Sequence, residues 1–309
     1  MLRLTAIVPA TDDPPTLGRC LEAIRRAAAP PEEILVVDRA DGPGPAAARN
    51  DGAARASGEV VVFVDADVLP HSDAFTRIRR AFGEQEGLVA LFGSYDDTPT
   101  APGAVSGFRN LLHHHVHQSA GGASDSFWAG LGAVRRDRFM ACGGFDESRY
   151  QRPSIEDIEL GGRLVAAGGA VWLDPRLQAT HLKAWTLREM IRVDLLDRGV
   201  PWLTLLFRRG ELPASLNLGW RHRLSAVASI VAVAAVVRRR RGPALAGLGA
   251  LVCLNVSFYR LLLRRRGPVD AALGVGLHAL HHVTAGVAVP LALRAHLRER
   301  RTRGRLPAG

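Results

Sequence analysis

The sequence predicts an α/β domain, with a mostly parallel sheet and helices on both of its faces, followed by an α-helical membrane region. In residues 1–200, short apolar runs alternate with helical patterns, which is typical of a parallel sheet buried on both sides. Charge separates the two regions: residues 1–200 carry 22 basic and 27 acidic side chains, and residues 201–309 carry 18 basic and 3 acidic ones. We expect three parts: the α/β domain over residues 1–185, an amphipathic connecting region over 186–222, and membrane helices with a basic tail over 223–309.

The overall composition excludes several classes of protein. A chain of 309 residues with 47% hydrophobic and 23% charged residues is neither a disordered tail nor a low-complexity polymer. Three scattered cysteines are too few for a disulfide framework or a structural zinc site. The net charge of +10 is concentrated after residue 200 and lacks a basic motif interleaved with aromatics, so we expect no nucleic-acid partner.

The elements of the N-terminal part follow from apolar runs and helical spacing. The first run is too short for a signal peptide and is stopped by Pro9, so it predicts a strand. Helical spacing follows, with Thr16 as the expected N-cap. Strands are predicted at Leu4–Val8, Ile34–Val37, Val60–Val64 and Ala170–Leu173, and helices at Leu17–Ala28, Ala46–Ala56 and Ile158–Ala167.

Acidic side chains follow three of these strands: Asp12 after the first, Asp38 after the second, and Asp65 and Asp67 after the third. Ligands of such sheets bind beyond the carboxyl ends of the strands. Two carboxylates at i and i+2 can share one Mg²⁺ or Mn²⁺, whose remaining positions are taken by substrate phosphates. A solvated loop with helix-capping aspartates is the simpler alternative, but it does not explain why the acids gather at strand ends.

Seven short motifs follow one another along the chain: Ile7-Val8-Pro9, Val36-Val37-Asp38, Ala48-Arg49-Asn50-Asp51-Gly52, Gly58-Glu59, Phe63-Val64-Asp65-Ala66-Asp67, Gly143-Gly144-Phe145-Asp146-Glu147 and Glu156-Asp157-Ile158-Glu159. In this order, they resemble the motifs of family-two glycosyltransferases with the GT-A fold. The resemblance covers about residues 4–185. One departure concerns the second strand, where Arg39 follows Asp38 in place of the small residue that is common in the family. The identity of the nucleotide base therefore stays open.

The resemblance implies a nucleotide-sugar site and inversion at the anomeric carbon. Asp65 and Asp67 would bind the metal, and His181 is a third candidate ligand because some GT-A enzymes use a histidine at such a place. Asp157 would be the catalytic base, with Glu156 beside it as a further catalytic candidate. The expected nucleotide-sugar contacts are Pro9, Asp12, Asp38, Arg49, Asp65 and Asp67.

The residue types suit glycosyl transfer, although the acidic motif has a second interpretation. A leaving diphosphate needs a cation, and an attacking hydroxyl needs a base. Glu156, Asp157 and Glu159 open a predicted helix, where acids are also favoured by the helix dipole alone. Four histidines, at positions 113, 114, 115 and 117, have no carboxylate or cysteine nearby in the sequence, so we expect them on a solvent-facing or acceptor-facing surface.

Three apolar stretches follow residue 222: Leu224–Val237, Ala244–Leu263 and Ala271–Leu293. Arginine clusters at 238–241, 264–266 and 298–305 bound them, as expected where anionic lipid headgroups attract cations. The two longer stretches have the ~17–25 residues of a spanning helix, and the first is marginal. Two topologies are possible, three spans or a hairpin of the two longer helices, and each places one arginine cluster outside the cell, against the positive-inside rule. We slightly favour three spans. Before these stretches, residues 185–202 have an apolar stripe at helical spacing, which predicts an interfacial helix or an ordinary packing helix.

Together these features predict a multi-pass protein of the cell membrane with a cytoplasmic catalytic domain. It would transfer a sugar from a nucleotide-sugar donor to a lipid or lipid-linked acceptor, assisted by a divalent cation. Two alternatives remain: an inactive membrane scaffold with the same fold, and a nucleotidyltransferase on a related fold. The second lacks a glycine- and lysine-rich phosphate loop near the N-terminus.

Overall fold

The computed structural model describes residues 2–210 and 219–303. It contains two compact units. Unit 1 comprises Met1–Pro102 and Asn110–Ala184, and unit 2 comprises Gly103–Arg109 and Trp185–Gly309. Residues 211–218 of the predicted connecting region, and the end of the predicted basic tail, lie outside the described residues.

Unit 1 is built around one eight-stranded sheet, in the order β2-β1-β3-β7-β5-β8-β4, with β6 paired to β8. Its strands are β1 Leu4–Pro9, β2 Glu33–Val37, β3 Val60–Val64, β4 Val68–Pro70, β5 Leu88–Tyr95, β6 Gly122–Ala123, β7 Leu131–Arg135 and β8 Ala170–His181. The helices are α1 Leu17–Arg25, α2 Gly44–Arg55, α3 Ala74–Glu84, α4 Ala104–Ser119 (shared by both units), α5 Arg136–Ala141 and α6 Glu156–Ala166.

The predicted α/β fold is confirmed, and its sheet is mixed. Strand β1 runs parallel to β2 and β3, and β5 runs parallel to β8, but β7 lies antiparallel between β3 and β5. The apolar strand pattern predicts burial on both faces, and such burial arises whichever way the neighbouring strand runs. The pattern therefore did not reveal β7.

The core of unit 1 is packed around β3, whose five residues are all buried. The ring of Phe63 lies 6.5, 5.3 and 5.2 Å from the rings of Phe127, Phe139 and Phe145. Helix α2 packs tightly on the sheet, because a Cβ at Gly52 would lie 2.5 Å from Cγ2 of Ile7. This close approach brings the side chains of α2 to the ends of the central strands.

Several element boundaries differ from the prediction. Helix α1 ends at Arg25, and although Thr16 occupies the N-cap position, its side chain makes no capping hydrogen bond. Thr16 has nearly helical backbone angles (φ −86°, ψ −12°), whereas a capping residue is typically extended. The predicted short strand at Ala170 continues to His181, since β8 pairs first with β5 and then with β4.

The solvent-facing alternative for the four histidines is wrong at His117, because helix α4 packs this part of the chain against β5, and the acceptor-facing alternative stays a prediction. His117 is buried and its Nδ1 donates to the carbonyl oxygen of Gly93 at 2.8 Å. His114 likewise donates from Nδ1 to the carbonyl oxygen of Tyr95 at 2.8 Å.

Unit 2 is helical throughout its described elements. They are α7 Leu187–Arg192, a π-helical segment Val193–Gly199, α8 Val200–Arg209, α9 Trp220–Val237, α10 Arg241–Leu254 and α11 Val256–Arg303, which is interrupted at Gly267. In the π-helical segment, buried Asp194 accepts hydrogen bonds from Arg109 Nη1 at 2.6 Å and His281 Nδ1 at 2.7 Å. These ion pairs hold the pKa of Asp194 well below its ordinary value, although burial alone would raise it.

Two helices of unit 2, Trp220–Val237 and the part of α11 up to Arg301, are long and apolar enough to cross a membrane. The predicted second span, Ala244–Leu263, is not one helix: α10 ends at Leu254 and α11 begins at Val256. Asn255 lies buried at this break, where its Nδ2 donates to Ser225 Oγ and to the carbonyl oxygen of Leu251. The hydropathy pattern could not predict this break, because a single asparagine hardly changes the mean hydropathy of an apolar stretch. Its side chain forms its hydrogen bonds with the neighbouring helices.

Candidate functional site

The first two strands of unit 1 end side by side. Pro9 is opposite Val37, and the amide of Ala10 donates to the carbonyl oxygen of Val37 at 2.9 Å. Asp38 follows directly and is exposed, as is Asp12. Within the described residues, neither carboxylate forms a hydrogen bond or ion pair with the other candidate residues, so both remain accessible to a ligand.

Asp65 and Asp67 lie in the tight turn between β3 and β4. The amide of Asp65 donates to the carbonyl oxygen of Gly130 at 3.1 Å, and its carbonyl accepts from the amide of Val68 at 2.9 Å. The first bond extends the pairing of β3 with β7, and the second closes the turn. Two carboxylates are thereby held at the end of the central strand.

The turn brings Asp67 to His181. Val68 and His181 are partners in the β4–β8 ladder, and the amide of Leu182 donates to the carbonyl oxygen of Asp67 at 2.9 Å. His181 Nε2 lies 3.5 Å from Asp67 Oδ2, and its ring stacks on Tyr95 at 4.2 Å. Burial alone would raise the pKa of Asp67, but its contact with His181 outweighs this and holds the pKa below its ordinary value.

This pair fits the chemistry of a divalent cation. A carboxylate oxygen and an imidazole nitrogen are ligands that Mn²⁺ accepts, and Mg²⁺ is commonly held by one or two carboxylates together with substrate phosphates. Among the described residues, no group of three or more histidine, cysteine, aspartate or glutamate side chains is close enough to hold an ion. A cation bound here would therefore take its remaining ligands from substrate phosphates or water.

Arg49 joins the two acidic motifs. It extends from α2 and is only 5% exposed. Its Nη2 donates to Asp65 Oδ1 at 2.7 Å, and its Nη1 donates to Glu156 Oε1 at 3.0 Å. Burial alone would lower the pKa of Arg49, but the charges of Asp65 and Glu156 raise it above its ordinary value. The guanidinium therefore stays charged between its two partners.

Glu156 and Asp157 begin α6 and differ in environment. Glu156 is 4% exposed, and both of its oxygens are engaged, by Arg49 and by the amide of Ser154 at 2.8 Å. Asp157 is half-buried. Its Oδ2 accepts from the amide of Ala129 at 3.1 Å and its Oδ1 from the amide of Ile158 at 2.8 Å. Two backbone amides thus fix the orientation of a carboxylate that is still partly open.

Several residues of the candidate site were not predicted from the sequence. The amide of Ala129 could not be predicted, because a backbone group is not tied to a residue type. Tyr95 could have been suspected only from its position, as an aromatic residue at the end of a strand-like run. Asn50 lay inside a quoted motif without a role: its side chain bonds both the amide and the carbonyl of Phe145. It thereby fastens α2 to the Gly143–Glu147 loop.

The chain resembles known proteins in its sequence. The model of the family described as "Glycosyl transferase family 2" matches residues 39–115. Two curated relatives, each named "Pre-mycofactocin glycosyltransferase", come from two strains of Mycobacterium tuberculosis, CDC 1551 / Oshkosh and ATCC 25618 / H37Rv. Each is 27% identical over 303 residues, covering 88% of this chain and 58% of the relative. The chain thus spans little more than half the length of these relatives.

The fold also resembles that of a solved structure. This is the mannosyltransferase PcManGT from Pyrobaculum calidifontis in complex with GDP-Man and Mn²⁺, with a TM-score of 0.52 and 16% identity. The match covers 93% of this chain and 87% of that one, and it concerns the fold alone. The family match, the relatives and the fold agree: the chain is similar to proteins of glycosyl transferase family 2, with a unit 1 that resembles the GT-A fold and apolar C-terminal helices.

Proposed function

We propose that this protein is a metal-assisted, inverting glycosyltransferase that transfers a sugar from a nucleotide-sugar donor to a lipid or lipid-linked acceptor. The observation that carries the proposal is the meeting, in unit 1, of Asp65 and Glu156 on the guanidinium of Arg49. Through this contact, the acids after β3 come close to the start of α6, where Asp157 lies next to Glu156. The similarity of residues 39–115 to glycosyl transferase family 2 supports the same class of reaction.

In the proposed step, an acceptor hydroxyl oxygen attacks the anomeric carbon from the face opposite the diphosphate. The bond from this carbon to the diphosphate oxygen breaks, and the nucleoside diphosphate leaves with the electron pair. Asp157 takes the hydroxyl proton on a carboxylate oxygen, as a general base. The amides of Ala129 and Ile158 hold this carboxylate in place during the transfer.

Asp67 and His181 would hold the divalent cation, and Asp65, whose Oδ1 is engaged by Arg49, would offer Oδ2 to the donor. When bound, a cation neutralises the charge that develops on the leaving diphosphate. The exposed Asp38, the half-buried Pro9 and the exposed Asp12 stand at the neighbouring strand ends, where we place the nucleoside. Arg39 is exposed next to Asp38 and is available to influence the preference for a nucleotide base.

The acceptor class is proposed from unit 2. Apolar side chains are exposed along α9 and α10, including Val236, Val237 and Leu245. Arg238–Arg240 form the turn between these helices and are exposed. Exposed apolar surface beside arginines suits an anionic membrane surface. Because nucleotide sugars are cytosolic, we place unit 1 on the cytoplasmic side of a multi-pass protein of the cell membrane.

A panel of radiolabelled nucleotide sugars, tested with membranes that contain the protein, examines the proposal. Lipid extracts and pre-mycofactocin are supplied as separate acceptors, since the named relatives suggest the second. Transfer into lipid, lost in a chelator, supports the proposal. Transfer to pre-mycofactocin alone overturns the lipid acceptor, and full activity in a chelator overturns the metal. Release of pyrophosphate from nucleoside triphosphates would favour a nucleotidyltransferase, and no turnover with any donor would favour an inactive scaffold.

A further inference from the structure

Arg49 is a buried cation whose two partners belong to different parts of unit 1. Asp65 follows β3, and Glu156 is the first residue of α6. The side chains of Arg49 and Glu156 are each 6% exposed, and that of Asp65 is 32% exposed. A buried charge is tolerated only when it is paired, and removing one partner of such a pair leaves the other uncompensated. The three side chains therefore act as one unit.

Its burial and its ion pair with Arg49 leave Glu156 no part in proton transfer. One oxygen accepts from Arg49 and the other from the amide of Ser154. A general base must come within hydrogen-bonding distance of the hydroxyl that it deprotonates. Glu156 is too deeply buried for this, whereas Asp157, the next residue, is partly open. What Glu156 provides is a fixed negative charge at the start of the helix that carries Asp157.

Asp65 has a different arrangement. Arg49 engages Oδ1 only, and Oδ2 accepts no hydrogen bond from the described residues. The guanidinium thus fixes the orientation of the carboxylate while leaving one oxygen for a ligand. Arg49 also lies over the ring of Phe145, at 5.6 Å from its centroid, and this contact fixes the plane of the guanidinium from another side.

We propose that Arg49 and Glu156 are a positioning pair that sets the distance between the donor-side carboxylate Asp65 and the base Asp157. Arg49 acts through Asp65 and α6 and does not bind the nucleotide, and Glu156 is its counter-ion and not a catalytic residue. This inference rests on the proposed function, because positioning matters for catalysis only if Asp65 and Asp157 serve one reaction.

The test compares Arg49→Lys, Arg49→Met, Glu156→Gln and the double variant Arg49→Met/Glu156→Gln with the wild type. Arg55→Met is the matched control, since Arg55 lies on the same helix and its ion pair with Asp51 is on the surface. For each variant, kcat, the KM for the donor, the pH profile of kcat and the unfolding midpoint without ligands are measured in the full-length protein.

We expect Arg49→Met and Glu156→Gln each to lower kcat by about 100-fold with little change in donor KM, as displacement of reacting groups by about 1 Å does. The double variant should lose no more than the worse single variant, because the residues act as a unit. Glu156→Gln should keep the acidic limb of the pH profile, since Asp157 remains. Arg49→Lys keeps the charge and should retain more of kcat than Arg49→Met does. If Arg49→Met does not fold, Arg49→Lys and Glu156→Gln still allow the test.

Three outcomes overturn the inference. A higher donor KM at unchanged kcat in Arg49→Met would make Arg49 a nucleotide ligand. Loss of the acidic limb in Glu156→Gln would make Glu156 the base. Losses that multiply in the double variant would make the residues independent. A wild type without transfer activity overturns the proposed function instead, and the pair is then judged from the ligand-free unfolding midpoints, where additive shifts would reject it.

Discussion

The Nε2 atom of His181 lies 3.5 Å from Oδ2 of Asp67, although the two residues are far apart in sequence. The contact exists because β4 starts immediately after Asp67 and pairs with the end of β8. Tyr95 stacks on the other side of the imidazole and limits its rotation. An aspartate and a histidine are therefore held together before any ligand arrives.

Removing either member of this pair should weaken metal-dependent binding. We expect Asp67→Ala and His181→Ala to weaken Mn²⁺-dependent binding of a nucleoside diphosphate by more than about tenfold, because each change removes a ligand or the partner that orients it. Titration calorimetry with and without Mn²⁺ measures this. Asp137→Asn, on the exposed start of α5, is the control. Unchanged Mn²⁺-dependent binding in both variants would rule out the site.

Replacing Asp157 should separate chemistry from binding. Asp157→Asn keeps the shape of the side chain and removes the base, so kcat should fall by about 10²–10⁴-fold while donor affinity changes little. Glu159→Gln makes the same change within one turn of α6, where Glu159 pairs with Arg163 at 2.8 Å. It should retain most of its activity. A matching fall of affinity and rate in Asp157→Asn would show that Asp157 acts in binding or capping.

Two glycines offer a matched test of packing. A Cβ at Gly93 in β5 would lie 2.1 Å from the carbonyl oxygen of Leu177 in β8, so Gly93→Ala should destabilise the fold by about 1–3 kcal/mol. Gly83 in α3 has open space around it, and Gly83→Ala should be neutral or stabilising by up to about 1 kcal/mol. Chemical unfolding curves measure both. Equal effects of the two changes would contradict the packing of β5 on β8.

Stability should depend on pH through His71. Its Nε2 lies 3.1 Å from Oδ2 of buried Asp96, and this hydrogen bond raises the pKa of His71 above its ordinary value of 6.5. A histidine whose pKa is higher in the folded than in the unfolded protein stabilises the fold fully at pH values below its unfolded pKa. This stabilisation is lost as the pH rises through the pKa of the folded protein. The unfolding midpoint should therefore fall above about pH 6.5, and less so in His71→Gln. Identical profiles for both proteins would exclude this contribution.

The membrane topology can be tested with single cysteines. In a variant lacking Cys20, Cys142 and Cys253, a cysteine near residue 240 or near residue 265 is probed with an impermeant thiol reagent on intact cells. Labelling at 240 alone supports three spans, and labelling at 265 alone supports a hairpin. The break at Asn255 leaves α10 with 14 residues, about 21 Å of helix, which is short of a ~30 Å hydrocarbon core. The helices that are long and apolar enough to cross a membrane are α9, which precedes residue 240, and the part of α11 up to Arg301, so we expect labelling at 240.

Local patterns in the sequence determined the α/β class, the position of β3 and the acids that follow it. These are effects of near neighbours: five consecutive apolar residues make a buried strand, and the residues after it begin the turn. The order of the motifs also indicated a resemblance to the family whose model matches residues 39–115. Asp157 was chosen by its place in a motif alone, since its neighbours Glu156 and Glu159 are acids on the same helix.

The tertiary structure alone decided how these residues combine. Glu156 and Asp157 are adjacent in sequence but differ in burial. The side chain of Glu156 is buried against Arg49, whereas that of Asp157 is half-buried and accepts from the amide of Ala129. The antiparallel β7, the β4–β8 ladder that carries His181 to Asp67, and the break at Asn255 all depend on partners distant in sequence. Hydropathy and spacing record what each residue is, whereas a hydrogen bond between distant segments depends on where the chain brings them together.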